Sequence, residues 1–408
     1  MQKFLDWLER VLTPLAKVIG ENKYLVAIRD GFLLSTPLLI VGSVFLLIAN
    51  FPLPQWDTWM SHLLGKDWAT MMSVPASASF DVMTILAVVG IAYSLGKQFN
   101  VDAMQAGIIA LVSFFIVTPY QTLFTPENSS KVYEVTSLPL KWMGSSGLFL
   151  GMIVALIATR LFVAIVRKGW TIKMPEGVPP TVVKSFEALI PSFLVVTLMF
   201  LVNWLAALTP YGNLQDVIFE FLQTPLLSLG NTLGAMSIAY LFLHFFWFFG
   251  INGGSVVGAV FNPVLRALSV ENLQAFKDGH EIPNIITGQF QDMFATFGGA
   301  GSTLSLIIVM VLFCKSQRIK KLSQLSLIPG VFGINEPIIF GLPIVLNPIL
   351  LIPFVLVPAI NIIIAYFAMD WGLVPLTNGI QLPWTTPPII SGFLVSGWQG
   401  SILQALLL

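Results

Sequence analysis

One carboxylate stands out for its surroundings: Glu336, in Gly333-Ile334-Asn335-Glu336-Pro337, with apolar residues on both sides. A charged side chain at the centre of a bilayer costs about 3 kcal/mol, so one retained in an apolar stretch reads first as functional. Ionised, it accepts hydrogen bonds from hydroxyl groups; placed against one hydroxyl, it serves as a proton acceptor. Both uses suit a sugar. The structural alternative is a glutamate that accepts backbone amides and pins the bend before Pro337. Asn335, beside it, adds a donor and an acceptor. A second set runs His244-Phe245-Phe246-Trp247-Phe248-Phe249-Gly250-Ile251-Asn252-Gly253-Gly254. Its aromatic faces could carry a sugar ring, Asn252 both donates and accepts, and the glycines let backbone approach closely. Trp247 has a competing reading as a ring at the lipid interface, and His244 reads as a packing residue rather than a proton shuttle. A third set, Asn378 to Pro388, gathers amides, hydroxyls and the Trp384 indole in a proline-bounded segment. No metal-ligand pattern, Walker phosphate loop or Ser-His-Asp set is present, and the chain has only three histidines. Neither a metal nor another cofactor is expected, nor the chemistry of a soluble enzyme.

The elements that must position these residues are membrane helices. Charged residues make 10% of the 408 and hydrophobic residues 56%, whereas a soluble domain is about 25% charged. A span needs roughly 20 apolar residues, and about ten such stretches follow one another with short joints. Twenty basic residues balance twenty acidic ones, which gives no sign of a nucleic-acid partner. The single cysteine, Cys314, excludes an intramolecular disulfide and reads as a small residue of an apolar run. Met1–Gly20 lacks the uninterrupted apolar core of a cleavable signal. Phe4, Leu5, Leu8, Val11, Leu12, Leu15, Val18 and Ile19 recur there at helical spacing, as in a helix lying on the membrane surface.

The first half is regular, with spans expected over Tyr24–Ala49, Phe80–Gly96, Ala103–Thr118, Gly147–Val166 and Ala188–Leu208. Lys97 and the group Arg167, Lys168, Lys173 and Lys184 place their loops on the cytoplasmic side, which puts the amino terminus inside. Pro52–Ser79 and Thr122–Trp142 then read as external loops. Pro210–Ser228 is amphipathic and reads as an interfacial linker. Three domains are therefore expected: 1–209, a surface helix and five spans; 210–230, the linker; and 231–408, the substrate-binding part. In that last part, apolar stretches at Leu233–Phe249, Gly301–Cys314, Pro348–Ala368 and Ile389–Leu408 alternate with Gly250–Leu268, Ile282–Ala300 and Leu325–Pro343. These three are rich in Gly, Asn and Pro yet poor in charge. They read as re-entrant hairpins or broken helices lining a site, or else as loops at the headgroup level. Lys315, Arg318, Lys320 and Lys321 mark another cytoplasmic joint.

Taken together, several motifs resemble the IIC permeases of the bacterial sugar phosphotransferase system, in the lactose, cellobiose and diacetylchitobiose branch. They are Ile28-Arg29-Asp30-Gly31-Phe32 through Pro37 to Val41-Gly42-Ser43, then Val178-Pro179-Pro180 with Ser185-Phe186 and Leu189-Ile190-Pro191. Trp247-Phe248-Phe249-Gly250-Ile251, Gly333-Ile334-Asn335-Glu336-Pro337 and Leu382-Pro383-Trp384-Thr385 complete the set. The resemblance implies an all-α membrane protein of about ten transmembrane helices plus re-entrant hairpins, with the elevator-type fold of the glucose superfamily. It implies a homodimer in the bacterial plasma membrane that binds a β-linked disaccharide, cellobiose first and diacetylchitobiose or lactose next. The sugar would be phosphorylated by phosphocysteine on a separate IIB protein, fed from phosphoenolpyruvate through enzyme I, HPr and IIA. The chain is then no enzyme by itself. Carried over by motif, Glu336 binds the sugar near the hydroxyl that receives phosphate and acts in catalysis, while Asn335, Trp247 and Trp384 line the site. Asn252 departs from the pattern, because relatives often hold a histidine there, and an amide cannot change charge. Relatives also continue past the position of Leu408 into a short tail, so a truncated carboxy terminus is expected. Two other readings stay open: an ion-coupled sugar transporter without phosphorylation, and a membrane enzyme acting on lipid-linked sugars.

Overall fold

The computed structural model describes residues 21–51, 55–124, 131–175, 177–248, 252–342, 344 and 347–408. The surface helix expected over Met1–Gly20 lies outside them. The described helices are α1 Lys23–Ala49, α2 Trp56–Leu64, α3 Trp68–Phe80, α4 Met83–Gln98, α5 Ala103–Ile116, α6 Leu148–Arg167 and α7 Leu189–Ala207. They continue with α8 Leu233–Phe248, α9 Gly253–Lys277, α10 Leu304–Phe313, α11 Gln317–Val331, α12 Glu336–Gly341, α13 Pro348–Asp370 and α14 Ile390–Leu407, the last kinked at Ser396 and Gly397, with further short helices such as Pro180–Glu187 and Thr224–Gly230. Among the described residues, five helical stretches are long and apolar enough to cross a membrane. Leu214–Gly230 with Leu233–Trp247 makes a sixth if that bent pair is one span, and α5 and α10 are shorter apolar helices.

The chain forms two compact units, one of residues 22–39 and 77–226, the other of 40–76 and 227–408. In the first, α4, α5 and α6 pack on one another, and the start of α1 lies against α4. Small residues make this possible. A Cβ on Gly31 would stand 2.5 Å from the backbone nitrogen of Ile91, and one on Gly90 would stand 2.6 Å from the Gly31 carbonyl oxygen. In a membrane, where lipid is as apolar as leucine, such close backbone approach supplies much of the packing attraction. Ala87, Val88, Ile91, Ala106, Ala110, Phe114, Ala155 and Phe162 fill the interior. Asp102 caps α5 by accepting from the Gln105 amide at 3.0 Å and pairs with Lys184 at 3.2 Å. Its partial burial alone would raise the carboxyl pKa, but the Gln105 amide and the Lys184 ammonium outweigh that and leave it below its ordinary value. The stretch 214–223 is tied into this unit by two buried glutamines: Gln215 donates to Thr118 Oγ1 at 2.9 Å and Gln223 to the Ser145 carbonyl at 3.1 Å.

The second unit is built differently. α8, α9 and α13 pack around His244, Phe354 and Leu265, and α10 with α11 forms a helical hairpin. Polar side chains reach deep into it. Asn272 donates to the carbonyls of Asn284 and Thr377, at 2.7 and 2.9 Å, and Thr287 Oγ1 lies 2.9 Å from Thr377 Oγ1.

Two expectations are corrected here. Gly250–Leu268 is not an irregular segment from residue 253 on, because α9 runs unbroken over 25 residues with Pro263 inside it. The helix-breaking cost of glycine and proline, about 1 and 3 kcal/mol, is overridden by burial of Val264, Leu265, Ala267 and Leu268. Pro52–Ser79 is not a plain loop either: it holds α2 and α3, braced by Trp68 Nε1 donating to Asp57 Oδ1 at 3.0 Å. Within Thr122–Trp142 a two-stranded antiparallel hairpin forms, pairing Gln121–Phe124 with Tyr133–Thr136.

Candidate functional site

The break between α11 and α12 brings three of the predicted site residues, Asn335, Glu336 and Trp384, together. Gly333 ends α11's last turn at φ +80°, a conformation that L side chains rarely adopt. Its bare Cα also makes room for an indole, since a Cβ there would stand 3.2 Å from Trp384 Cζ3. Trp384 therefore leans on the turn that precedes Glu336, while its side chain stays 59% exposed. Loop geometry holds it there. Gly379 packs against the backbone of Ser269 and Leu273, Gln381 donates its amide to Ser43 Oγ at 2.9 Å, and the Thr386 amide and hydroxyl both donate to the Pro383 carbonyl.

Asn335 is buried, and its amide nitrogen is engaged by the protein. Nδ2 donates to the Ala300 carbonyl at 2.7 Å and to Thr303 Oγ1 at 2.9 Å. Thr303 Oγ1 in turn donates to the Gly298 carbonyl at 2.7 Å. Glu336 opens α12, with the Asn335 carbonyl accepting from both Ile338 and Ile339 at 2.9 Å. The Glu336 side chain lies outside the described set. Trp247 is half-buried against the apolar cluster that includes Ile338, Ile339, Ile307 and Phe354. Asn252 is exposed at the start of α9, its carbonyl accepting from Val256 at 3.3 Å and its side-chain oxygen lying near Gly254. Residues 249–251, between it and Trp247, are outside the described set. The structure thus brings Trp384, Asn335 and the backbone of Glu336 together at the start of α12, with Trp247 on an apolar cluster to which α12 also contributes.

His244 is fully buried, with Nδ1 2.8 Å from the Tyr240 carbonyl. A carbonyl only accepts, so Nδ1 carries the proton. The ring meets Tyr240 and Phe354 with centroids 5.4 and 5.8 Å away, which is a packing arrangement.

Two local structures give the irregular segment expected over Ile282–Ala300 its form, in detail that the sequence did not reveal. The first is the turn Gly298 to Ser302, where residues 298, 299, 301 and 302 all have positive φ. Gly299 lies so close to Asn335 and the Gly333 carbonyl that a Cβ would stand 2.6 Å from each. This turn is the wall on which the Glu336 segment rests. Its signal is Gly298-Gly299-Ala300-Gly301-Ser302-Thr303, three glycines and two hydroxyls in six residues. The second is the π-helical turn Gln291–Ala295, a form frequent at functional sites. Three of its carbonyls are held by side chains of three helices: Gln291 by the Tyr240 hydroxyl at 3.4 Å, Met293 by Gln404 Nε2 at 2.7 Å and Ala295 by Asn361 Nδ2 at 3.4 Å. Gln404 also accepts from the amides of Ile389 and Gly392, at 2.5 and 2.9 Å, which couples this turn to the end of the Trp384 loop. Single polar residues inside apolar helices gave no motif to find. Among the described residues no group of three or more His, Cys, Asp or Glu could hold a metal ion.

Residues 29–358 match the sequence model of the family described as Phosphotransferase system, EIIC. The chain belongs to that family. As a phosphotransferase EIIC component it is a membrane protein of a bacterial sugar-transport system, and EIIC components work with a sugar substrate and IIB partners. It is 41% identical to the cellobiose-specific EIIC component of Geobacillus stearothermophilus, over 99% of this chain and 91% of that one. It is also 41% identical to the lichenan permease IIC component of Bacillus subtilis strain 168, over 100% and 90%. The crystal structure of ChbC, the IIC component of an N,N'-diacetylchitobiose-specific phosphotransferase system, superposes with a TM-score of 0.95. It shares 43% identity, covering 98% of this chain and 94% of that one. This EIIC protein therefore has the mostly helical IIC membrane fold expected from its motifs, with one two-stranded pair added.

Proposed function

We propose that this EIIC protein carries a β-linked disaccharide, cellobiose first, and presents it to a IIB phosphocarrier at the Glu336 segment. The observation that carries the reading is the meeting of Trp384 and the Gly333–Glu336 turn, which pairs an exposed indole face with a carboxylate-bearing helix start. An indole can stack on one sugar ring while a carboxylate accepts from its hydroxyls. The relatives named for cellobiose, lichenan and diacetylchitobiose support a β-linked substrate. In this reading Glu336 binds the sugar beside the hydroxyl that receives phosphate and takes its proton, and Trp247 and Trp384 line the ring faces. Asn252 donates to a hydroxyl without a titrating group. Asn335 contributes by fixing the turn through Ala300 and Thr303. The amino terminus is cytoplasmic, two copies pair, and residues 231–408, with which 40–76 cluster, move as the sugar-bearing part against the rest of 1–209.

A binding panel on purified protein tests the cargo. Cellobiose should bind at least tenfold more tightly than lactose, with diacetylchitobiose between them; a preference for an α-linked disaccharide would overturn the assignment.

A further inference from the structure

The hairpin of α10 and α11 ends in a tip of four cations, Lys315, Arg318, Lys320 and Lys321, all exposed. None pairs with a carboxylate within 4.0 Å among the described residues. The hairpin's inner side is committed: Ile307, Met310, Ile319, Leu322 and Leu327 belong to one apolar cluster, and Gly330 lies against Ile307. Its outer side is not. Arg318, Lys321, Leu325, Ile328 and Phe332 follow at spacings of three and four, so they form one stripe along α11, and every one of them is exposed. The stripe is cationic toward the tip and apolar below it. The other arm repeats the order, with Leu312 at 67% and Phe313 at 73% exposure immediately before Lys315, against 75% for Leu325 and 71% for Ile328.

We propose that this tip binds the headgroup phosphates of anionic phospholipids. Lys315, Arg318, Lys320 and Lys321 are the headgroup contacts, and Leu312, Phe313, Leu325 and Ile328 the acyl-chain contacts. Charge complementarity selects an anionic partner, because four uncompensated cations lie within seven residues. The vertical order selects lipid over a protein docking from water. Exposed apolar side chains flank the cations on both arms, an order that suits acyl chains below and headgroups above, and long basic side chains can reach from an apolar surface to a phosphate. Tight lipid binding would anchor the very helix that leads into the Gly333–Glu336 turn. The proposal does not depend on which sugar is carried.

The test uses the full chain in detergent, titrated with dioctanoyl phosphatidylglycerol, dioctanoyl phosphatidylcholine and glycerol 3-phosphate, with bound lipid counted by native mass spectrometry. The wild type should bind the glycerol lipid at least tenfold more tightly than the choline lipid. The quadruple variant Lys315→Gln, Arg318→Gln, Lys320→Gln, Lys321→Gln should lose that preference. Exchanging each lysine for arginine and Arg318→Lys should retain it, which separates charge from folding. Leu325→Gln with Ile328→Gln should weaken both lipids. Equal lipid counts for wild type and quadruple variant would overturn the proposal, as would glycerol 3-phosphate competing as well as the lipid. So would a quadruple variant that keeps its lipid and loses only phosphorylation by IIB, since the tip would then serve the protein partner.

Discussion

The two units solve the same problem, satisfying a chain in a membrane, by opposite means. In 22–39 and 77–226 the long helices α4, α5 and α6 run unbroken, glycines such as Gly31 and Gly90 let backbones touch, and the π-helical turn Phe219–Gln223 is tied down by Gln223 donating to the Ser145 carbonyl. In 40–76 and 227–408 helices are broken at 291–295 and 332–335, and the freed backbone groups are taken up by Asn335, Thr303, Asn361, Gln404 and Tyr240. Irregular backbone is tolerated at membrane depth only where protein or a watery cavity satisfies it. A regular helix presents only side chains; a break can present carbonyls, amides and a helix start to a polar cargo. The contrast explains why the candidate site lies wholly in the second unit.

Variants at the break should therefore damage handling of sugar, and variants at the glycine contacts should damage stability alone. The largest effect is expected for Glu336→Gln, which keeps size and removes charge: phosphorylation should fall by about 100-fold or more with membrane insertion unchanged. Unaltered transport would remove Glu336 from the mechanism. Next comes Asn335→Leu, which strands the Ala300 carbonyl and takes a donor from Thr303 Oγ1. Leaving such groups unpaired costs about 1–3 kcal/mol, and sugar affinity measured by calorimetry should weaken roughly tenfold; full affinity would show that the turn is not positioned by this side chain. Gly31→Leu sharpens the comparison from the other side. Overpacking against Ile91 should cost about 1–3 kcal/mol and lower the thermal midpoint, while the folded fraction binds sugar normally. A changed dissociation constant would break the separation of roles.

The smallest effect is expected at Asp102. Its folded pKa is depressed, so its contribution is present above the ordinary value of 3.8 and is lost as pH falls through the lower folded value. Asp102→Asn should lower the thermal midpoint slightly at pH 7, and the difference from wild type should vanish on acidification below about pH 4. A difference that grows on acidification would contradict the Lys184 pairing.

Much of this was legible in the sequence, and for a physical reason. Spans of continuous apolar residues announce themselves, so α1, α5, α6, α7, α8, α10, α13 and α14 begin and end within a few residues of where composition places them. Glu336 stood out as a charge against that background, whereas Trp384 was singled out only through the family motif. Three things were hidden. α3 and α9 carry proline, glycine and serine that look like loop, yet tertiary burial makes them helical. The Gly298–Ser302 turn and the π-helical turn at 291–295 fall in or beside the break expected over Ile282–Ala300, but their geometry was hidden because it depends on distant partners such as Tyr240, Asn361 and Gln404. The division of the chain is hidden too, since residues 40–76 cluster with 227–408 and no local signal in the first half marks them.

The central claim is that the broken helices of the second unit hold a sugar for phosphorylation by IIB, and sealed vesicles test it most directly. The protein is reconstituted with IIB and its phosphoryl supply on one side and cellobiose on the other, and the sugar that crosses is identified. The account predicts phosphorylated cellobiose, with none formed when IIB is omitted. Free cellobiose accumulating under a proton gradient without IIB would contradict it.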